Sequence, residues 1–201
     1  MTIQEIEERL QDHSLTRIYA DQQRNAAILL PLTGKPENPA LLFEVRNRKL
    51  TQGGEICFPG GRINEGETAL EAALRETAEE LAFPAERIRD IHPLHVSRGP
   101  GGVEVTSFLG RLEDYAGTFS REEVDHVFAI PVEELLSLVP EIHEMCLEVR
   151  TPDDFPYDKV PLGKNYPWRK EPGKVYFYQT SFGIIWGMTA RFLYYFLETL
   201  R

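Results

Sequence analysis

Apolar residues recur along this chain in two rhythms, one of about 3.6 residues and one of two, and each stretch predicts the element that would bury them. Ile3, Ile6 and Leu10 fall at helical spacing among acidic and polar positions, which predicts a short peripheral helix over 2–13. Residues 26–32 and 41–45 are short apolar runs separated by 33–39, where Gly34, Pro36, Asn38 and Pro39 signal a turn, so the pair reads as a β-hairpin. A glycine-dense segment, Gly53-Gly54 and then Phe58-Pro59-Gly60-Gly61, leads into helical periodicity over 68–81. Strands are expected at 91–97 and 103–112, joined by a short flexible loop at 98–102, and again at 127–130. Pro131 is placed to open a helix running to 139, because proline favours a first helical turn. Residues 151–174, rich in Pro, Asp, Lys and Gly, predict an irregular excursion beside a substrate or a partner. Residues 175–178 read as a late strand, and about 184–200 as a closing helix with a broad apolar face. Strands and helices mixed without regular βαβ alternation favour an α+β layered fold over a doubly wound sheet, in one domain covering 1–201.

Composition narrows the function. A hydrophobic fraction of 42% in 201 residues is enough for a buried core. The net charge of −10 argues against a nucleic-acid backbone as partner, since that needs a basic footprint. A small anionic substrate stays open, because a bound cation reverses the local field. Cys57 and Cys146 have no metal or redox spacing and read as two reduced thiols of an intracellular protein. With no run of 18 apolar residues and no basic start leading into an apolar one, a cytoplasmic protein with no membrane partner is expected.

Chemistry concentrates in residues 61–83. Thr68 and Glu71 have the spacing of a capping box, which starts a helix, and Pro84 marks its end. At about 100° per residue, Glu76, Glu79 and Glu80 fall in one arc, and Leu70, Leu74, Thr77, Ala78 and Leu81 fill the neighbouring arc, which can pack on a sheet. Glu76 and Glu80 repel at i,i+4 by about 0.2–0.5 kcal/mol. Two of the three glutamates also sit near the negative end of the helix dipole. An ordinary solvated acidic face is the plain alternative, but breaking local rules in this way after a glycine-rich loop marks a functional site. Clustered carboxylates suit Mg²⁺ or Mn²⁺, which take hard oxygens plus waters and substrate phosphates. Such ions neutralise a pyrophosphate and position water for attack on phosphorus.

These residues resemble the Nudix box: Gly61, Glu67, Arg75, Glu76, Glu79, Glu80 and Phe83 are in register, while Thr77 replaces an apolar residue and Ala82 the second glycine. The resemblance implies an α/β/α sandwich with a mixed sheet, Glu76, Glu79 and Glu80 as metal ligands, and Glu67 and Arg75 as braces. Read from spacing alone, Arg75 could instead pair with Glu71 at i,i+4. Leu42-Phe43-Glu44-Val45-Arg46 and the segment from Gly54 to Gly61 are similar to the upstream signature of coenzyme A pyrophosphatases, and Ile185-Trp186-Gly187-Met188-Thr189-Ala190-Arg191 to their closing-helix segment. The upstream signature departs in having Glu44 where threonine is usual and in lacking a second arginine, for which Arg48 or Lys49 could substitute.

This likeness implies that a small-molecule nucleotide, coenzyme A, is split into 3',5'-ADP and 4'-phosphopantetheine, with Arg46, Gly60 and Gly61 on the substrate side. Plain core packing is expected for the Trp186 segment. Glu79 and Glu123 are the candidate general bases, with Glu76 and Arg75 completing the catalytic set. The alternatives are the same chemistry on ADP-ribose, a dinucleoside polyphosphate or a nucleoside triphosphate, and a non-catalytic module that senses a nucleotide. Tyr157, Tyr166 and Trp168 could form an interface, for which a homodimer is one assembly.

Overall fold

The computed structural model describes residues 2–11, 25–99 and 102–201. Helix α1 (Ile3–Leu10) stands at the N-terminus with Ile3 and Ile6 exposed. Positions 12–13 of the expected helix, and Pro100 and Gly101 of the expected flexible loop, lie outside the described residues.

Strands β1 (Ala26–Lys35) and β2 (Asn38–Arg46) form the expected hairpin, which is tighter than the turn residues suggested. Pairing runs on to Lys35 and Asn38, leaving only Pro36 and Glu37 between them. Away from this hairpin end the two strands take other neighbours on the same side: β3 (Ile56–Cys57) pairs with β2 at Glu44 and Val45, and β4 (Gly60–Arg62) pairs with β1 at Ala26–Ile28. This two-strand wedge escaped the sequence reading because two or three residues carry no periodicity.

Beyond β1 lies β6 (Glu104–Leu112), parallel to it, and then β5 (Ile88–Arg98), antiparallel to β6. Beyond β2 lies β7 (Val124–Pro131), and the seven strands make one mixed sheet.

Successive residues of the central strands serve opposite faces. Ala27, Leu29 and Leu42 pack with Ala72, Ala73 and Leu81 from helix α2 (Ala69–Glu80) and its cap. Leu30, Leu41 and Phe43 pack on the other face with helix α3 (Val132–Ser137) and with the late elements of the chain. Those are an antiparallel sheet of β8 (Glu141–Leu147), β9 (Glu171–Thr180) and β10 (Gly183–Trp186), and helix α4 (Gly187–Leu200). The α/β/α layering is present, and its far layer carries a sheet as well as a helix.

Three expectations need correction here. Pro131 ends β7 and caps α3 instead of entering its first turn, and α3 stops at Ser137. The irregular excursion is shorter than 151–174, because β9 already begins at Glu171, while β8 ahead of it exposes every residue and so shows no alternation. The closing helix starts at Gly187, since Ile184, Ile185 and Trp186 alternate exposed, buried and exposed as a strand does. No described helix is long and apolar enough to cross a membrane.

Candidate active site

The capping box holds the start of α2: the Glu71 amide donates to Thr68 Oγ1 (3.2 Å) and the Thr68 amide donates to Glu71 Oε2 (2.8 Å). Glu71 is thereby engaged, and Arg75 does not pair with it. Arg75 instead donates from Nε and Nη2 to the two carboxylate oxygens of Glu67 (2.8 and 3.0 Å), from Nη1 to Glu76 Oε1 (2.7 Å), and from Nη2 to the Arg62 carbonyl (3.1 Å). Glu67 also accepts the Asn64 amide (2.9 Å). The Arg75 guanidinium and that amide hold the Glu67 carboxyl below its ordinary range. One bidentate pair therefore ties the loop after β4 to the middle of α2.

The helix ends in a Schellman arrangement, with the Phe83 amide donating to the Ala78 carbonyl (3.0 Å) and the Ala82 amide to the Glu79 carbonyl (3.3 Å). Ala82, standing where the family motif has glycine, takes φ of 45°.

The three glutamates do not share one open face. The buried arc of α2 is Ala72, Ala73, Thr77 and Glu80, because the two alanines let the helix approach β1 closely and rotate Glu80 inward. Glu80 is 3% exposed, and its Oε2 accepts the Gly60 amide (2.8 Å). Glu76, 18% exposed, lies over Gly61, where a Cβ would stand 2.4 Å from Glu76 Cδ. Glu79 is the outermost, 55% exposed and 3.5 Å from Arg75 Nη1. Among the described residues, no three acidic, histidine or cysteine side chains already stand as a ligand shell for a metal ion.

A fourth carboxylate joins them. Glu44, in the middle of β2 and 1% exposed, accepts from Cys57 Sγ (3.4 Å), and its Oε2 has no hydrogen-bond partner among the described residues. Burial pushes its carboxyl up to about 7. Burial, and then the charge of Glu44, push Glu80 up to about 9. Glu123, exposed just before β7, adds its charge to both. Burial and the neighbouring Glu44 raise the Cys57 thiol out of the reactive range, so no thiolate forms there at neutral pH. The sequence reading noted Glu44 only as a departure from the upstream signature and gave it no site role, although it is the one ionisable side chain in the stretch 40–45, which the structure buries at all six positions.

A cavity of about 430 Å³ is lined by Glu44, Gly60, Gly61 and Glu80 together with Trp186, Met188 and Arg191. Arg46 lines its edge with Nε donating to the Thr51 carbonyl (3.0 Å), whereas Arg48 and Lys49 lie outside the lining. Ile185 and Ala190 of the closing segment pack in the core as expected, whereas Trp186 is 44% exposed and lines this space. Tyr166 and Trp168 stack edge to face within a small aromatic cluster with Phe155 and Tyr157.

Residues 22–176 match the family model described as NUDIX domain. The chain is 36% identical over 128 residues to Nudix hydrolase 3 of Caenorhabditis elegans, covering 60% of this chain and 53% of that protein, so it spans about half of that relative's length. It is 30% identical over 178 residues to the Nudix hydrolase NudL of Photorhabdus laumondii, covering 87% of this chain and 84% of that one. The crystal structure of a MutT/nudix family protein from Enterococcus faecalis aligns with a TM-score of 0.51 at 15% identity, covering 98% of this chain and 68% of that chain, a likeness of fold.

Proposed function

Because the chain belongs to the NUDIX domain family, we propose that it is a divalent-metal-dependent hydrolase of nucleoside diphosphate derivatives, and that its substrate is coenzyme A or an acyl derivative, cleaved into 3',5'-ADP and 4'-phosphopantetheine. The observation that carries this reading is the burial of Glu80 against Glu44 at the floor of an open cavity. Two carboxylates cannot both ionise in such a place without a counter-charge, and an all-oxygen donor set beside an anion-sized space fits Mg²⁺ or Mn²⁺.

Glu76, Glu79 and Glu80 would hold the ion, with Glu44 behind Glu80. Bound there, it supplies the charge that neutralises a diphosphate and acidifies a coordinated water. The protein's own groups do the rest. Arg75 fixes Glu76 and, through Glu67, keeps α2 in register with its loop. Gly60 orients Glu80 through its amide, and Gly61 leaves room for Glu76. Arg46 meets a substrate phosphate at the cavity edge. Glu79 and Glu123, the carboxylates of this group that reach solvent, are the acceptors for the proton of the attacking water.

The choice of coenzyme A is supported by where the two subgroup-like segments lie: the upstream one supplies Glu44, Arg46 and Gly60, the closing one supplies Trp186, Met188 and Arg191, and they meet across one cavity. Its apolar side, with Val105, Val175 and Phe192, suits the alkyl stretches of a pantetheine arm. Incubation with coenzyme A and Mg²⁺ or Mn²⁺ should yield the two products in equal amounts. Glu79→Gln and Glu80→Gln should each lower kcat by about a hundredfold or more while the protein stays folded. Unchanged turnover in both variants would remove the metal role, and a preference for ADP-ribose, a dinucleoside polyphosphate or a nucleoside triphosphate would replace the substrate.

A further inference from the structure

Lys174, Arg191 and Phe192 line the cavity over Glu80 and also a second one of about 480 Å³ beside it. The chain carries a net charge of −10, yet among the described residues no aspartate or glutamate lines this second cavity, whose walls hold Arg98, Lys174 and Arg191. Arg191 is fixed by neutral acceptors only: Nη1 donates to Ser97 Oγ (3.4 Å) and the Arg98 carbonyl (3.3 Å), and Nη2 to the Lys174 carbonyl (2.9 Å). Among the described residues, none of the three cations has an acidic side chain at ion-pair distance, whereas Arg75, Arg87, Arg89, Arg111 and Arg201 each do. His95 adds a buried Nε2 without a hydrogen-bond partner among the described residues, on a backbone whose amide and carbonyl are both held by Ser107 Oγ (3.1 and 2.9 Å).

The cross-strand neighbours of Arg98 and Lys174 are Glu104 and Glu144, which neither line the recess nor reach ion-pair distance. Three cations gathered in a recess with no carboxylate in its described lining are a site for a multivalent anion, and an anchored guanidinium fork matches phosphate geometry. We propose that this recess is a second phosphate subsite, which takes a phosphomonoester carried on the nucleoside of the substrate, as on the ribose of coenzyme A, through Arg98, Lys174 and Arg191. It rests on the hydrolase reading above for the placement of the ligand's other end. The shared wall lets one molecule reach both places: its diphosphate lies at Glu80, and its nucleoside passes Arg191 into the recess.

The test compares ligands that differ by that phosphate alone. In calorimetric titrations of the metal-free protein, which need no turnover, 3',5'-ADP should bind about tenfold tighter than 5'-AMP, an advantage of the size of one charge-assisted contact. Arg98 and Lys174 have exposed side chains, so Arg98→Gln and Lys174→Gln should fold normally and bring the advantage close to one. In kinetics Arg98→Gln, whose side chain does not line the cavity over Glu80, should raise KM for coenzyme A about tenfold with kcat kept, and leave 3'-dephospho-coenzyme A unaffected. Equal affinities in the unsubstituted protein, or an advantage that survives both substitutions, would overturn the assignment. So would inorganic phosphate binding as tightly as 3',5'-ADP, which would make the recess a free-anion site. A protein that leaves coenzyme A intact but shows the charge-dependent advantage would lose the proposed substrate and keep the subsite; the reverse result would keep the substrate and lose the subsite.

Discussion

One missing methyl group decides whether Glu76 can lie where it does. A Cβ on residue 61 would stand 2.4 Å from Glu76 Cδ and 2.5 and 2.6 Å from its two oxygens, so Gly61→Ala must push the carboxylate off the β4 backbone. Glu76 is also hydrogen-bonded to Arg75, and a displacement of about 1 Å at such a group can cost about a hundredfold in rate. We expect kcat of Gly61→Ala to fall by that order with the unfolding temperature little changed, as steady-state kinetics and thermal melts would show together; full activity would deny Glu76 its role. The spacing of Gly61 and Glu76 was readable in the sequence, but their contact was not. Periodicity tells where a side chain points around its own axis and nothing of what stands opposite. Glu80 makes the same point: a hydrophobicity count gave the buried arc to Leu70 and Leu74, while close packing gave it to Ala72 and Ala73 and carried Glu80 inside.

At the scale of the element, α2 was read well at its start and incompletely at its end. The capping box depends on two residues at fixed spacing, which any reader of the sequence can see. The exit depends on a dihedral angle. Ala82 sits at φ of 45° and closes both Schellman hydrogen bonds without being glycine. A left-handed conformation costs an L-residue roughly 1–2 kcal/mol, partly offset because alanine loses less chain entropy on folding than glycine does. Ala82→Gly should therefore stabilise the protein by about 1 kcal/mol in chemical denaturation, with kcat unchanged. A loss of stability would mean that the strain is absent. The strands that went unread, β3, β4, β8 and β10, are short, fully exposed or adjoin a helix, and each lacks the apolar run bounded by turn residues that revealed β1 and β2.

For the whole molecule, the cluster links folding to protons and to metal. Glu44 and Glu80 ionise near 7 and 9 in the metal-free fold, against an ordinary value of 4.5 when unfolded. Between these limits the folded chain binds more protons than the unfolded one, so its stability is greatest at the acid end of the window and falls as pH rises from about 5 to 9. If the proposed ion binds there, it would take the place of those protons, and Mg²⁺ or Mn²⁺ should raise the melting temperature more at pH 9 than at pH 6. Equal shifts at both pH values would argue that these carboxylates do not hold the ion.

The parallel pairing of β1 with β6 also sets a schedule. It joins Ala27 to Thr106 across the stretch that contains α2, and the apolar seat of that helix includes Phe108 and Leu112. During translation, a nascent chain can close its first hairpin early, but α2 has no finished seat until Leu112 has left the ribosome. The carboxylates of β2 and α2 are therefore brought together only after β6 has been made, with β7 and the elements of the far layer still to follow.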